Sequence, residues 1–150
     1  MIKKILVTVM ALGMLFCTGC FEDRSEPEEI VELYDNSWIM EHYMDSIRDY
    51  DHVVYEQVYF EWGTRSIGPT EYRFRGIVYL TEEEADRLWD AYEWEETDAP
   101  AFEFDKIDAE TAGEGPWYSC QQFEKDNYPA VLVSYAVFDG EKIVFDISQV

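Results

Sequence analysis

The chain has 150 residues, with 33 Asp plus Glu against 11 Lys plus Arg and a formal net charge of -22. A field of that sign repels phosphate backbones and anionic lipid headgroups, which disfavours nucleic-acid binding and electrostatic membrane binding as functions. Aromatic residues make up 17% of the chain, so it carries enough apolar surface to fold around a single core despite its charge.

The first twenty residues set the compartment. Lys3 and Lys4 form a short basic start, Ile5 to Phe16 is an uncharged apolar run, and Cys17-Thr18-Gly19 places small residues before Cys20. This is the order of a secretory signal, and its apolar run is short of the ~20 residues a membrane-crossing helix needs. The ending resembles the lipobox of bacterial lipoproteins, with Thr18 and Gly19 before the cut and Cys20 as the first mature residue. The resemblance implies cleavage between Gly19 and Cys20, a thioether-linked diacylglycerol on Cys20, and in many bacteria a third acyl chain on the new amino terminus. It also implies localisation on the extracytoplasmic face of a cell membrane. With Phe21 rather than Asp after Cys20, it further implies outer-membrane sorting where the cell has two membranes. Two or three acyl chains hold firmly where one holds marginally. An ordinary signal peptide cut near Gly19 is the alternative reading.

The expected organisation is a signal over 1–19, a lipidated tether over 20–27 and one acidic α+β domain over 28–150. Of the three cysteines, Cys120 alone is left in the mature domain as a free thiol. With no His or Lys/Arg cluster near it in sequence, it is expected to be buried and inert.

Within the domain, Ser25 followed by Glu28 fits a capping box and predicts a helix start. Met40, Tyr43, Met44, Ile47 and Tyr50 fall on one arc at helical spacing, so Pro27 to about Tyr50 is predicted as one long or two short helices. Val53 to Trp62 is rich in β-branched and aromatic residues, and Tyr72, Phe74, Val78 and Leu80 alternate with Arg73, Arg75 and Tyr79; the two runs predict a long-looped hairpin. Exposed Arg73 and Arg75 are expected to face Glu56 or Glu61 across the ladder.

Thr81 as cap, Glu84 at the third helical position and Leu80 stapling to Ala85 predict a second helix. Its core stripe is Ala85, Leu88, Trp89 and Tyr92, and Thr97-Asp98-Ala99-Pro100 ends it. Phe102 and Phe104, then Trp117 to Phe123, then Ala130 to Phe138 read as strands, the last apolar on both sides and so central. Asp139-Gly140 predicts a two-residue hairpin loop with Phe138 opposite Glu141 and Ala136 opposite Ile143. The expected fold is α+β: a mainly antiparallel sheet of about six strands, with an N-terminal helix and a second helix packed on one face.

Candidate chemistry is sparse. His42 and His52 lie among Asp45, Asp49 and Asp51, but solvated side chains are the expectation and no metal ligand is assigned. Asp108, Glu110 and Gly113 match part of a calcium loop, which fails at Ala112 and Ser119. Glu95, Glu96 and Asp98 could pair as acid and base, and Trp62, Trp94 and Trp117 could stack on sugars; a charged face and core aromatics are the expected roles. No catalytic residue and no cofactor is assigned. The function expected is a non-enzymatic, lipid-anchored binding or accessory domain, with the membrane held through the lipid on Cys20 and a basic protein as the charged partner. The alternative is an acidic inhibitor or immunity-type protein that neutralises a basic toxin or cell-wall hydrolase.

Overall fold

The computed structural model describes residues 27–61 and 71–149. The signal segment, Gly19, Cys20, the tether up to 26 and Trp62 lie outside the described residues. The elements are β1 (Glu28–Tyr34), α1 (Trp38–Tyr43), β2 (Tyr50–Glu61), β3 (Tyr72–Leu80), α2 (Glu82–Ala91), β4 (Glu95–Thr97), a 3-10 turn (Ala109–Ala112), β5 (Trp117–Ser119), α3 (Gln121–Asn127), β6 (Leu132–Phe138) and β7 (Lys142–Gln149). All neighbouring strands are antiparallel, in the order β1-β2-β3-β7-β6-β5-β4. The class is α+β as expected, but the sheet has seven strands rather than about six.

The chief correction is at the start of the domain. Glu28 to Tyr34 is an edge strand in register with β2, from Glu28 opposite Glu61 to Tyr34 opposite Tyr55, and not the first turns of a helix. Pairing along seven residues overrides the helix propensity of three glutamates. The helix that follows is short, yet Ile39, Met40, Met44 and Ile47 are buried. Met40, Met44 and Ile47 of the arc do face the core, but the helix ends at Tyr43, Met44 and Ile47 lie beyond it, and Tyr50 opens β2.

β2 and β3 pair as expected, and α2 begins where predicted, with Thr81 Oγ1 accepting from the Glu84 N–H at 3.3 Å. The other half of the capping box is diverted. The Glu84 carboxylate accepts from the Arg48 N–H at 2.7 Å and from Arg87 at 2.6 and 2.8 Å, tying α2 to the segment after α1. Ala85 and Leu88 are buried, whereas Trp89 is half exposed and meets Tyr118 edge-on at 4.8 Å.

Three later expectations are corrected. Trp117 starts a strand that stops at Ser119, and Gln121 to Asn127 coil into α3, whose Phe123 and Asn127 turn inward four residues apart. Asn127 then donates to the Phe123 carbonyl at 2.9 Å and accepts from Ser46. Phe102 and Phe104 lie in an irregular segment, not a strand. The β6–β7 hairpin loop is Gly140-Glu141, one residue later than expected. Asp139 pairs with Lys142, and the partners become Phe138–Ile143 and Ala136–Phe145. Asp139 causes the shift: its carboxylate accepts the Glu141 and Lys142 N–H groups at 2.9 Å each, and Gly140 takes φ 97° as the first loop residue.

The sheet is covered on both faces. On one, Val53, Tyr55, Phe74, Val78, Phe138, Ile143, Phe145 and Ile147 pack against the three helices. On the other, Val54, Ile77, Val137 and Val144 pack with Phe102, Phe104, Ile107, Ala112 and Trp117, so the irregular segment runs over the sheet as a strap. Strand β6 is less central than expected, because β5 meets it at Tyr118–Phe138 and Leu132 is 63% exposed.

Candidate functional site

The residues singled out by sequence are not brought together. His42 stacks on Trp38 at 4.3 Å with Nδ1 2.7 Å from the Trp38 carbonyl oxygen, and His52 stacks on Tyr79 at 4.1 Å on the far side of the ladder. Asp49 accepts from Thr81 at 3.2 Å. Among the described residues, no three His, Cys, Asp or Glu side chains cluster closely enough to hold a metal ion. Asp108 caps the 3-10 turn by accepting from the Glu110 N–H at 3.0 Å, which gives the calcium-like stretch a structural role. Trp94 donates to the Leu88 carbonyl at 2.9 Å within the core, and Trp117 is buried under the strap. Cys120 is buried, as expected.

What the sequence did not disclose is a row of ionised groups inside the strap layer. The register sets Glu56 beside Arg75, Arg75 beside Asp146 and Asp146 beside Tyr135, across β2, β3, β7 and β6. Glu56, Arg75 and Asp146 are all buried. Glu56 is the member of the row that pins the strap, because it accepts from three successive backbone N–H groups, of which that of Ile107 is buried. Glu56 accepts from Asp105 at 2.9 Å, from Ile107 at 2.8 Å, from Lys106, and from Arg75 Nε at 2.7 Å. Arg75 Nη2 reaches on to Asp105 at 2.5 Å, and Arg73 grips Asp146 through Nε at 2.8 Å and through Nη2. The expected pairing of Arg75 with Glu56 is therefore present but buried, and Arg73 turns to Asp146 rather than to Glu61. An alternating strand pattern gives no sign of a lid over the charged face, which is why the burial was missed.

The two depressed carboxylates fix the acid response. Burial pushes the Glu56 carboxyl up, but the N–H groups of Lys106, Asp105 and Ile107 with Arg75 outweigh it and hold it below the ordinary glutamate value. For Glu84, burial is likewise outweighed, by Arg87 and the Arg48 N–H. A folded-state value below the unfolded one means stability that is present above about pH 4.5 and lost as pH falls through the folded value. Glu124 has the opposite sign, its carboxyl raised by burial, so its cost is relieved on acidification. Urea midpoints measured in about 0.5 M salt, which screens the general repulsion, are expected to hold or rise slightly down to about pH 5 and then fall steeply. A midpoint that keeps rising below about pH 4 would contradict the Glu56 and Glu84 assignments.

Two surface features remain. A cleft of about 720 Å³ opens where α2 ends and α3 begins, lined by Tyr92, Glu93, Glu95, Cys120, Gln121 and Glu124. Its carboxylates include Glu95 of the proposed acid–base group, but the thiol beside them is the buried Cys120. The second feature is β1, an edge strand paired on one side only. No family model, curated protein or solved structure matches the chain. Glu28 lies directly opposite Glu61 on β2, a like-charge pair across the ladder, and among the described residues neither joins an ion pair. Leu33 of β1 is 47% exposed and Phe60 of β2 is 41% exposed, on the strap side of the same edge. Ile30-Val31 with Leu33-Tyr34 was the sequence signal for this strand, and Glu28, Glu29 and Glu32 masked it.

Proposed function

We propose that the chain is a lipid-anchored binding or accessory domain on the extracytoplasmic face of a bacterial envelope, non-enzymatic, and held by diacylglycerol on Cys20. The observation that carries this reading is the residue order from Lys3 through the apolar run to Thr18-Gly19-Cys20. Residues 21–27 separate Cys20 from β1, and covalent geometry limits seven residues to about 25 Å. Such a tether keeps the domain close to the lipid surface, with β1 its nearest element in sequence. Arg73 and Arg75 of the sheet and Arg87 of α2 are engaged with Asp146, Glu56 and Glu84 in holding the fold.

The second reading, an acidic inhibitor of a basic toxin or hydrolase, is favoured by Glu28 and Glu61, which face each other at the sheet edge without an ion pair among the described residues. Both readings share the anchor. Intact-mass analysis of the membrane fraction is expected to give a chain starting at Cys20 with a diacylglyceryl group, and Cys20→Ala is expected to abolish that species. A wild-type chain that keeps Met1, or one that is cleaved but carries no lipid, would refute the placement.

A further inference from the structure

We propose that the open edge of β1 is a docking strip for an extended, cationic segment of a partner protein, which pairs there as an eighth strand. The proposal rests on the reading of the chain as a binding domain, though not on its lipid. An edge strand presents a row of backbone donors and acceptors, and natural edges are closed by proline, bulges, a covering loop or charged side chains; the glutamates of β1 guard it against neutral and acidic strands and leave it open to a cationic one. Among the described residues β1 carries no proline, lysine or bulge, has no strand on its outer side, and stays in unbroken register with β2.

Its side chains specify the guest. Strand periodicity puts Glu28, Ile30 and Glu32 on the helix side of the sheet and Glu29, Val31 and Leu33 on the strap side. On the helix side, next to the edge, lies a recess of about 430 Å³ whose lining includes Tyr34, Trp38, Glu41 and Gln57. A strand that alternates basic and apolar residues would set its cations against Glu28, Glu32 and Glu41 and its apolar groups against Val31 and Leu33. It would also offset the repulsion between Glu28 and Glu61. A second copy of this chain is the wrong guest, because it brings Glu28, Glu29 and Glu32 of its own β1 and a net charge of -22 to the same edge.

The probe is a fluorescein-labelled, end-capped octapeptide of alternating Lys and Val, titrated into the full mature protein in detergent. Two controls accompany it: the Glu-Val counterpart, and the Lys-Val peptide N-methylated at two successive central residues so that neither of its edges can pair. Binding of the Lys-Val peptide is expected, with slowed amide exchange confined to 28–34, and with at least a tenfold loss for each control. In Glu28→Lys/Glu32→Lys, a surface change that leaves the core untouched, the preference is expected to reverse toward the Glu-Val peptide. Four outcomes overturn the proposal: no binding, equal binding of the N-methylated peptide, binding without protection of 28–34, or a β1-paired dimer by sedimentation and exchange. The mass experiment on Cys20 is independent: an unlipidated chain that still binds the peptide sinks the anchor alone, and a lipidated chain that does not bind sinks the docking strip alone.

Discussion

Glu56→Ala is expected to cost about 3–5 kcal/mol of folding stability, the range for breaking a buried charged pair by removing one partner. The substitution leaves the buried Arg75 with Asp105 as its remaining ion-pair partner and deprives the N–H groups of Asp105, Lys106 and Ile107 of their acceptor. The buried Ile107 N–H is then unpaired or must be hydrated, which means lifting the strap. Glu56→Gln keeps the shape and an acceptor oxygen but loses the charge, and should lie between wild type and Ala. Urea unfolding gives the stability, and amide exchange over 105–107 gives the cause. The exchange rates of these three amides should rise in Glu56→Ala further than those of β7 residues. A loss under about 1 kcal/mol, with 105–107 still protected, would mean the strap is held by its aromatic contacts.

The same residue shows where sequence reasoning stops. An alternating strand with a glutamate opposite an arginine is legible as a cross-strand pair, and Glu56 does face Arg75. Nothing local distinguishes a solvated pair from a roofed one, because the roof comes from residues some fifty positions away. Elements whose reasons are local were legible: α2 from its Thr81 cap and its apolar stripe, β2 and β3 from their composition, the β6–β7 hairpin from Asp139-Gly140. Even there a side chain moved the loop by one residue, since Asp139 serves as the acceptor that closes the turn rather than as a loop residue. Because the shift moves both strands together, Ala136, Phe138, Ile143 and Phe145 still share the helix face.

Elements whose reasons are tertiary were not legible. β1 is a strand because β2 offers it a seven-residue ladder, against three glutamates that favour a helix. α3 is a helix although Trp117 to Phe123 has strand composition. Gln121, Gln122, Glu124 and Lys125 are helix formers once Phe123 is needed in the core next to Tyr92 and Trp94. The surface edge that carries the docking proposal depends on β1, so misreading that one segment hid it.

Gly76→Ala is the second severe substitution, expected to cost about 3 kcal/mol by forcing atoms into a packed ladder. Gly76 sits opposite Tyr55 on β2 and Phe145 on β7, in the middle of the sheet. A Cβ placed there would lie 2.3 Å from the Val54 carbonyl oxygen and 2.7 Å from the Tyr55 Cα, both backbone atoms that no rotamer change can move. β2 must therefore separate from β3 at this point, and the next pair along is Glu56 with Arg75, so the strain is passed to the latch under the strap. Gly140→Ala supplies the contrast. There the backbone φ is 97° and no atom lies within 4 Å of the added carbon, so the cost is conformational only, about 1–2 kcal/mol. Thermal and urea unfolding of the two variants should rank them in that order. Gly76→Ala should also raise exchange at 105–107, whereas Gly140→Ala should confine its effect to the hairpin tip. Equal losses, or an unperturbed strap in Gly76→Ala, would show that the sheet can absorb a methyl group there without moving Glu56 away from Arg75.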